Sequence, residues 1–272
     1  MANDLAKKLL VVTGGASGIG EACALRMAAH YDGVVLIDRD QPNLARAAAE
    51  LETQGYAVHT RVADVTDATH MNAVADEIEQ SIGAVHTLIP SAGILNNSDT
   101  VLDMDLDEHN RVWQINYHGV IFTVRAFARA MQSRQAGAIA TLGSMTGLGA
   151  FPLPAYSPSK TAIARLTEIL AVELGRFQIR VNGVAPTYVM TPAVKSRIES
   201  GQRDVDAIFK SGAIDMWVEP VHVANVIHFL CSDEAAAITG VIVPVDAGWS
   251  AVTPYRSYAG GLPWEKTRGK NT

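Results

Sequence analysis

The sequence has little of what marks an exported, metal-binding or nucleic-acid-binding protein. Its two cysteines, Cys23 and Cys231, are too few and too far apart for a disulfide framework or a zinc-ligand cluster, and such usage suits a reducing cytoplasm. Eight histidines are scattered between His30 and His228 without an i,i+4 pair backed by carboxylates, so no metal is expected. Basic residues are in deficit: 28 acidic against 22 basic side chains give a formal net charge of -6, which excludes a general positive field for recruiting nucleic acid or an anionic membrane. No apolar run approaches the roughly 18 residues of a membrane span. Residues 1–8 also lack the cationic segment and apolar core of a signal peptide. Internal repeats and low-complexity linkers are missing too. The expectation is a cytoplasmic protein with a small-molecule partner.

What is present is core-forming material. Apolar residues make up 48% of the 272 and charged ones 18%, enough for a well-buried core in one large domain. Short β-branched runs at 9–13, 34–38, 57–62, 87–90, 138–142, 179–184 and 241–245 read as strands. Between them, stretches of helical period at 18–31, 42–54, 68–82, 108–132, 155–175 and 220–231 read as helices. This alternation predicts an α/β fold, a doubly wound parallel sheet of seven strands in a single domain spanning residues 1–250. Composition shifts after Gly248, where Gly, Pro, aromatics and four basic residues accompany Glu265 alone; residues 251–272 read as a C-terminal extension.

The first chemical motif follows the first strand and opens the first helix: Thr13, Gly14, Gly15, Ala16, Ser17, Gly18, Ile19 and Gly20 in sequence. In that position Gly14 permits a tight turn, Gly18 lets the backbone approach a pyrophosphate, and Gly20 allows close helix–sheet packing. The amides and dipole of the helix start then favour phosphate oxygens. The spacing differs from the common G-x-G-x-x-G pattern, and a glycine-rich stretch can be an ordinary turn. Asp38 ends the second strand, where a carboxylate accepts hydrogen bonds from adenosine-ribose hydroxyls and repels a 2′-phosphate, so NAD is expected in preference to NADP. A strand-end Asp can also simply cap the next turn, and Arg39 beside it can offset the repulsion or stack on adenine. Asp64 and Val65, after the third strand, are placed to meet the adenine ring, with a helix N-cap as the other reading of Asp64.

The second motif is Tyr156 and Lys160, whose i,i+4 spacing puts phenol and ammonium on one helical face with Cβ atoms roughly 5–6 Å apart. A phenol with a pKa of about 10 is a poor base at neutral pH unless cations favour the phenolate. Lys160 and an oxidised nicotinamide can supply that field. The pair alone is a common pattern in which the Tyr usually packs.

With these motifs in order and spacing, residues 5–248 resemble the short-chain dehydrogenase/reductase family. The resemblance implies a catalytic tetrad of Asn116, Ser144, Tyr156 and Lys160. Ser144 would polarise the substrate oxygen and steady developing charge. Asn116 would hold a helix distortion and a water that links Lys160 to solvent. Ala92 and Gly93 match the family's segment after the fourth strand, and Pro186, Val189 and Thr191 its nicotinamide-binding segment. The resemblance further implies pro-S hydride transfer, with Tyr156 exchanging the alcohol proton, Lys160 also holding the nicotinamide ribose, and a homotetramer. Three positions depart from the pattern: Ser91 after Pro90 in place of Asn, Thr187 in place of Gly, and Ala247 in place of Gly.

Substrate contacts are expected from Ser144, Tyr156, Asn96 in the 95–98 loop, Thr146 within 146–152, Tyr188, and a lid over 193–217 with Gly201 and Gly212 as hinges and disorder expected without ligand. Their amphiphilic mixture, and a Gly143-Ser144-Met145 segment similar to bacterial polyol dehydrogenases, favour a polyol, sugar or other secondary alcohol. A 3-oxoacyl thioester, a steroid-like ketone, or a catalytically silent NAD-binding protein are the alternatives. A sugar-nucleotide epimerase needs a larger C-terminal substrate domain than this chain provides. The tail carries Arg256 as a candidate to reach a neighbouring subunit's pocket.

Overall fold

The computed structural model describes residues 7–95, 99–257 and 259. Seven strands, β1 (Lys8–Thr13), β2 (Gly33–Asp38), β3 (Val58–Val62), β4 (Ala84–Pro90), β5 (Gly137–Leu142), β6 (Ile179–Pro186) and β7 (Ile242–Val245), form one sheet. Their order is β3-β2-β1-β4-β5-β6-β7, and every pairing is parallel. The chain winds outward from β1 to β3, then returns to the other side of β1 with β4. That reversal opens a crevice above the carboxyl ends of β1 and β4, where ligands bind in this architecture.

Both faces of the sheet are covered, which is why its strands read as unbroken apolar runs. Leu9 and Val11 point to one face, packed with Met71, Val74 and Ile78 of α3 (Ala68–Ser81) and Val124, Phe127 and Met131 of α5 (Gly119–Arg134). Leu10 and Val12 point to the other face, against Cys23 and Met27 of α1 (Gly18–Met27), Leu44 and Leu51 of α2 (Gln41–Thr53), and Ile227 of α9 (Pro220–Cys231). Asp40 caps α2 by accepting from the Asn43 N–H at 3.1 Å, and Asp67 caps α3 by accepting from the His70 N–H at 2.9 Å. Among the described residues no helix is long and apolar enough to cross a membrane.

The elements differ from expectation where local pattern and packing disagree. β4 begins three residues earlier than the apolar run indicates: Val85 pairs with Leu9 and Thr87 with Leu10, so His86 is an extra residue in a bulge. The helix expected over 108–132 starts at Leu106, behind an Asp105 cap, and runs as α4 (Leu106–Trp113), a π-helical turn at Gln114–His118, and α5. The first helix ends at Met27 and passes into a 3₁₀ turn, Ala28–His30. The segment expected as a disordered lid contains α7 (Pro192–Glu199) and α8 (Val205–Phe209), and the tail forms α10 (Trp249–Arg256).

Candidate active site

A cavity of about 730 Å³ fills the crevice. At one end is the glycine turn. Gly14 and Gly18 have φ of +68° and +61°, a left-handed backbone that side chains disfavour, and a Cβ on Gly14 would lie 2.7 Å from the Ala92 backbone. Gly20 has an ordinary φ, but a Cβ there would lie 2.2 Å from the Gly14 carbonyl oxygen; its constraint is the turn itself rather than the helix–sheet contact. Ser17 stands at the N-cap of α1 in extended backbone, without a side-chain cap bond, and Ile19 lines the cavity. The Asp38 carboxylate is anchored from both oxygens, accepting from the Ala16 N–H at 3.2 Å and the Asp40 N–H at 3.0 Å. Asp64 accepts from the Thr66 N–H and hydroxyl at 2.9 and 2.8 Å; because Asp67 is the cap of α3, Asp64 stays on the cavity wall with Val65. Arg39 lies 3.8 Å from Asp64 across an exposed pair of little energetic consequence.

At the other end stand the four tetrad residues. Ser144 follows β5 and opens a 3₁₀ turn, Met145–Gly147, whose Thr146 N–H and hydroxyl donate to the Ser144 hydroxyl at 3.2 and 3.0 Å. That turn rests on α6 (Tyr156–Gly175): a Cβ at Gly147 would come within 2.7 Å of the Lys160 backbone, and the Thr161 hydroxyl donates to the Gly147 carbonyl at 2.9 Å. Buried hydroxyls of Thr141 and Thr167, 2.6 Å apart, tie β5 to the same helix. The result places Ser144 beside the Tyr156 phenol on the same cavity wall. Asn116 is fully buried within the π-helical turn; its side-chain oxygen accepts from the Ile94 N–H at 2.8 Å and its amide donates to the Ile94 carbonyl at 3.0 Å. Gly93 lies between Asn116 and Lys160, with room for a Cβ only 3.3 Å from the Asn116 oxygen and 3.8 Å from the Lys160 ammonium.

Burial dominates the electrostatics of the pair. Burial pushes Tyr156 up to about 12, while the Ser144 hydrogen bond and the charge of Arg197 act in the opposite direction. The Lys160 ammonium donates to the Leu142 carbonyl at 2.8 Å and stands 5.7 Å from the Tyr156 ring centroid, and burial lowers it to about 8.

The far wall comes from β6 onward. Pro186, Thr187, Tyr188, Val189 and Thr191 all line the cavity, and Val189 bridges to Val218 beneath the lid. Thr191 caps α7, and its methyl group would lie 3.2 Å from a Cβ on Gly18, so the lid begins directly over the glycine turn. The two lid glycines act differently from hinges. Gly201, at φ +74°, ends α7 with the bonds of a Schellman stop, Gln202 N–H to Arg197 carbonyl and Gly201 N–H to Ile198 carbonyl, both 2.9 Å. Gly212 allows the lid to dock, since a Cβ there would meet the Ala247 carbonyl oxygen at 2.5 Å. Arg256 donates to the Lys210 and Gly212 carbonyls of the same chain at 3.1 and 3.2 Å, which secures the lid's far end. Thr146 lines the cavity as expected, whereas Asn96 falls outside the described residues. Sequence reasoning missed Trp249, which stands at the composition shift after Gly248: it faces the cavity, with its ring 5.6 Å from Tyr188 and 5.3 Å from Phe151. It also missed Arg111 on α4.

The residues present fit a nicotinamide dinucleotide. The glycine turn leaves a cradle that a side chain would close, and Asp38 waits at one end as an acceptor. Thr187, on the cavity wall, has a buried hydroxyl without a protein partner, suited to a polar group such as a carboxamide.

Comparison with known proteins agrees with this geometry. A family model described as enoyl-(acyl carrier protein) reductase matches residues 14–250. The chain is 38% identical over 243 residues to a galactitol 2-dehydrogenase from Rhizobium johnstonii, covering 88% of this chain and 94% of that one. It superposes with a TM-score of 0.84 on an oxidoreductase of the short-chain dehydrogenase/reductase family from Burkholderia thailandensis, 33% identical and covering 94% and 98% of the two chains. An NAD+-bound xylitol dehydrogenase superposes at 0.83, with 27% identity over 90% of this chain and all of the other. The chain belongs to the short-chain dehydrogenase/reductase family of nicotinamide-dependent oxidoreductases that interconvert secondary alcohols and ketones.

Proposed function

We propose that this protein is an NAD-dependent dehydrogenase of a hydroxylated small molecule, a polyol or sugar-like secondary alcohol. The observation that carries the reading is the gathering of Ser144, Tyr156 and buried Lys160 on the wall of one cavity, across from the glycine turn. A bound nicotinamide dinucleotide supplies the hydride acceptor, or the donor in the reverse direction. Gly14, Ser17, Gly18, Ile19 and Gly20 hold its pyrophosphate, Asp38 its adenosine ribose, Asp64 and Val65 its adenine side, and Ala92, Gly93, Pro186, Val189 and Thr191 the nicotinamide half.

The Tyr156 hydroxyl removes the alcohol proton during oxidation and returns it during reduction. Ser144, steadied by Thr146, holds the substrate oxygen. Lys160 positions the ribose and passes the proton onward, and Asn116 keeps the Ile94 backbone and the π-helical turn in place behind it. Phe151, Tyr188 and Trp249 give the substrate an aromatic wall against which the C–H face of a polyol can lie. The relative named for galactitol supports the polyol class. We further propose a cytoplasmic homotetramer, supported by the exposed apolar Ile169 and Val172 on the outer face of α6.

The test follows reduced cofactor by absorbance with a panel of polyols and apolar alcohols. Wild-type protein should turn over polyols with kcat/KM at least tenfold higher with NAD than with NADP. Tyr156→Phe should lose more than about 99% of kcat while still binding cofactor. Activity confined to apolar ketones, equal use of the two cofactors, or a Phe variant that keeps a tenth of kcat would each contradict the corresponding part.

A further inference from the structure

Charges on the cavity wall are sorted by sign. Among the described lining residues the carboxylates, Asp38, Asp40 and Asp64, all follow β2 or β3, where Arg39 faces Asp64. Toward the catalytic end the wall carries cations: Arg111 from α4, Arg197 from α7 and Arg203 just beyond it. Arg197 is the one closest in effect to the chemistry. It donates to the Leu95 carbonyl at 3.3 Å, and its charge favours the ionised form of the Tyr156 phenol, which lines the same cavity. Arg203 stands near enough to repel it, and Glu108, one helical turn before Arg111, acts the other way. Guanidiniums that line one cavity, apart from the carboxylates that line it after β2 and β3, favour a ligand that brings negative charge. A planar guanidinium fork also matches a carboxylate or phosphate in two parallel bonds.

We propose that the physiological substrate is an anionic hydroxy compound, a polyol or sugar acid bearing a carboxylate or a phosphate a few carbons from the reacting alcohol, with that anion bound by Arg197 together with Arg203 and Arg111. The proposal rests on the dehydrogenase reading above and narrows its substrate class.

The test compares galactitol, galactonate and galactitol 1-phosphate on protein saturated with cofactor. In wild type, kcat/KM for at least one charged probe should exceed that for galactitol by more than tenfold, mainly through KM, and the advantage should shrink as salt is raised. Which charged probe wins separates carboxylate from phosphate recognition. Arg197→Leu should lower the charged-to-neutral ratio by about 30-fold, and Arg197→Lys should restore part of it. Calorimetric binding of the three probes to the protein with saturating NADH reads the same preference without turnover. Equal binding of charged and neutral probes, a ratio unchanged in Arg197→Leu, or an effect of Arg197→Leu confined to cofactor affinity would each overturn the proposal. Charge-selective binding with no turnover of any probe would uphold the anion site and overturn the dehydrogenase reading.

Discussion

Replacing Lys160 by methionine should stabilise the fold relative to wild type at neutral pH while destroying activity, and the stabilisation should fade as the solution becomes alkaline. Lys160 is buried, and its ammonium has one recorded hydrogen bond, to the Leu142 carbonyl. Burial brings its pKa from 10.5 down to about 8, which at about 1.4 kcal/mol per pH unit is a penalty on the order of 3 kcal/mol for the charged form. Below pH 8 the lysine is charged in both folded and unfolded chains, and the folded state carries the whole penalty. Between pH 8 and 10.5 the folded protein holds a neutral amine while the unfolded chain still takes up a proton, so the unfolding free energy of wild type rises with pH. Methionine has similar volume and no proton to lose. The variant leaves the Leu142 carbonyl without its donor, which costs about 1 kcal/mol, so the net gain at pH 7 should be about 2 kcal/mol. Urea unfolding of both proteins at several values from pH 6.5 to 10.5 isolates the lysine, because the other titrating groups are common to the two chains. The variant's advantage should shrink by about 3 kcal/mol across that range. A difference independent of pH would show that Lys160 is not held as a desolvated cation, and the reasoning would fall.

Gly20→Ala puts a methyl group 2.2 Å from the Gly14 carbonyl oxygen, a backbone atom with nowhere to go. It should cost about 3 kcal/mol and weaken dinucleotide binding more than tenfold, read by thermal unfolding and NADH fluorescence titration; an unchanged dissociation constant would remove the turn from the cofactor site. Ala247→Gly should stabilise: Ala247 sits at φ +52°, where the family pattern has glycine, and relief of that strain, less the added chain entropy, leaves about 0.5 kcal/mol and a rise of about 1–2 °C in Tm. A lowered Tm would mean that the Ala247 methyl packs usefully against the lid. Trp249→Ala removes the ring that stacks on Tyr188, and should raise KM for the substrate about tenfold with a smaller change in kcat. An unaltered KM would exclude α10 from the substrate wall.

The strands and the glycine turn were legible in the sequence because their causes are local. A run such as Leu9 to Val12 is apolar at every position because alternate residues serve opposite faces of the sheet, and Gly14 and Gly18 take left-handed backbone within one short turn. Asn116, Ser144, Tyr156 and Lys160 were named from short motifs whose order and spacing resemble the family's. What the motifs could not convey is direction. The i,i+4 spacing sets Tyr156 and Lys160 side by side, but it does not say that the ammonium donates to the Leu142 carbonyl or that Arg197, 41 positions away on the lid, adds its charge near the phenol. Likewise Trp249 looked like the start of a tail because nothing near it in sequence says that β7 ends beside the cavity. Short polar helices such as α7 and α8 have too few apolar positions to show a period, and they form because the chain between Thr191 and Gly212 is fastened at both ends, by the Thr191 cap and by Ala247 and Arg256. Motifs therefore name Ser144, Tyr156 and Lys160, whereas Arg197 and Trp249 reach the same cavity only through the fold. A substrate prediction drawn from the motif segments alone therefore weighs the polar Asn96 loop and leaves out Arg111, Arg197 and Arg203, which line the cavity.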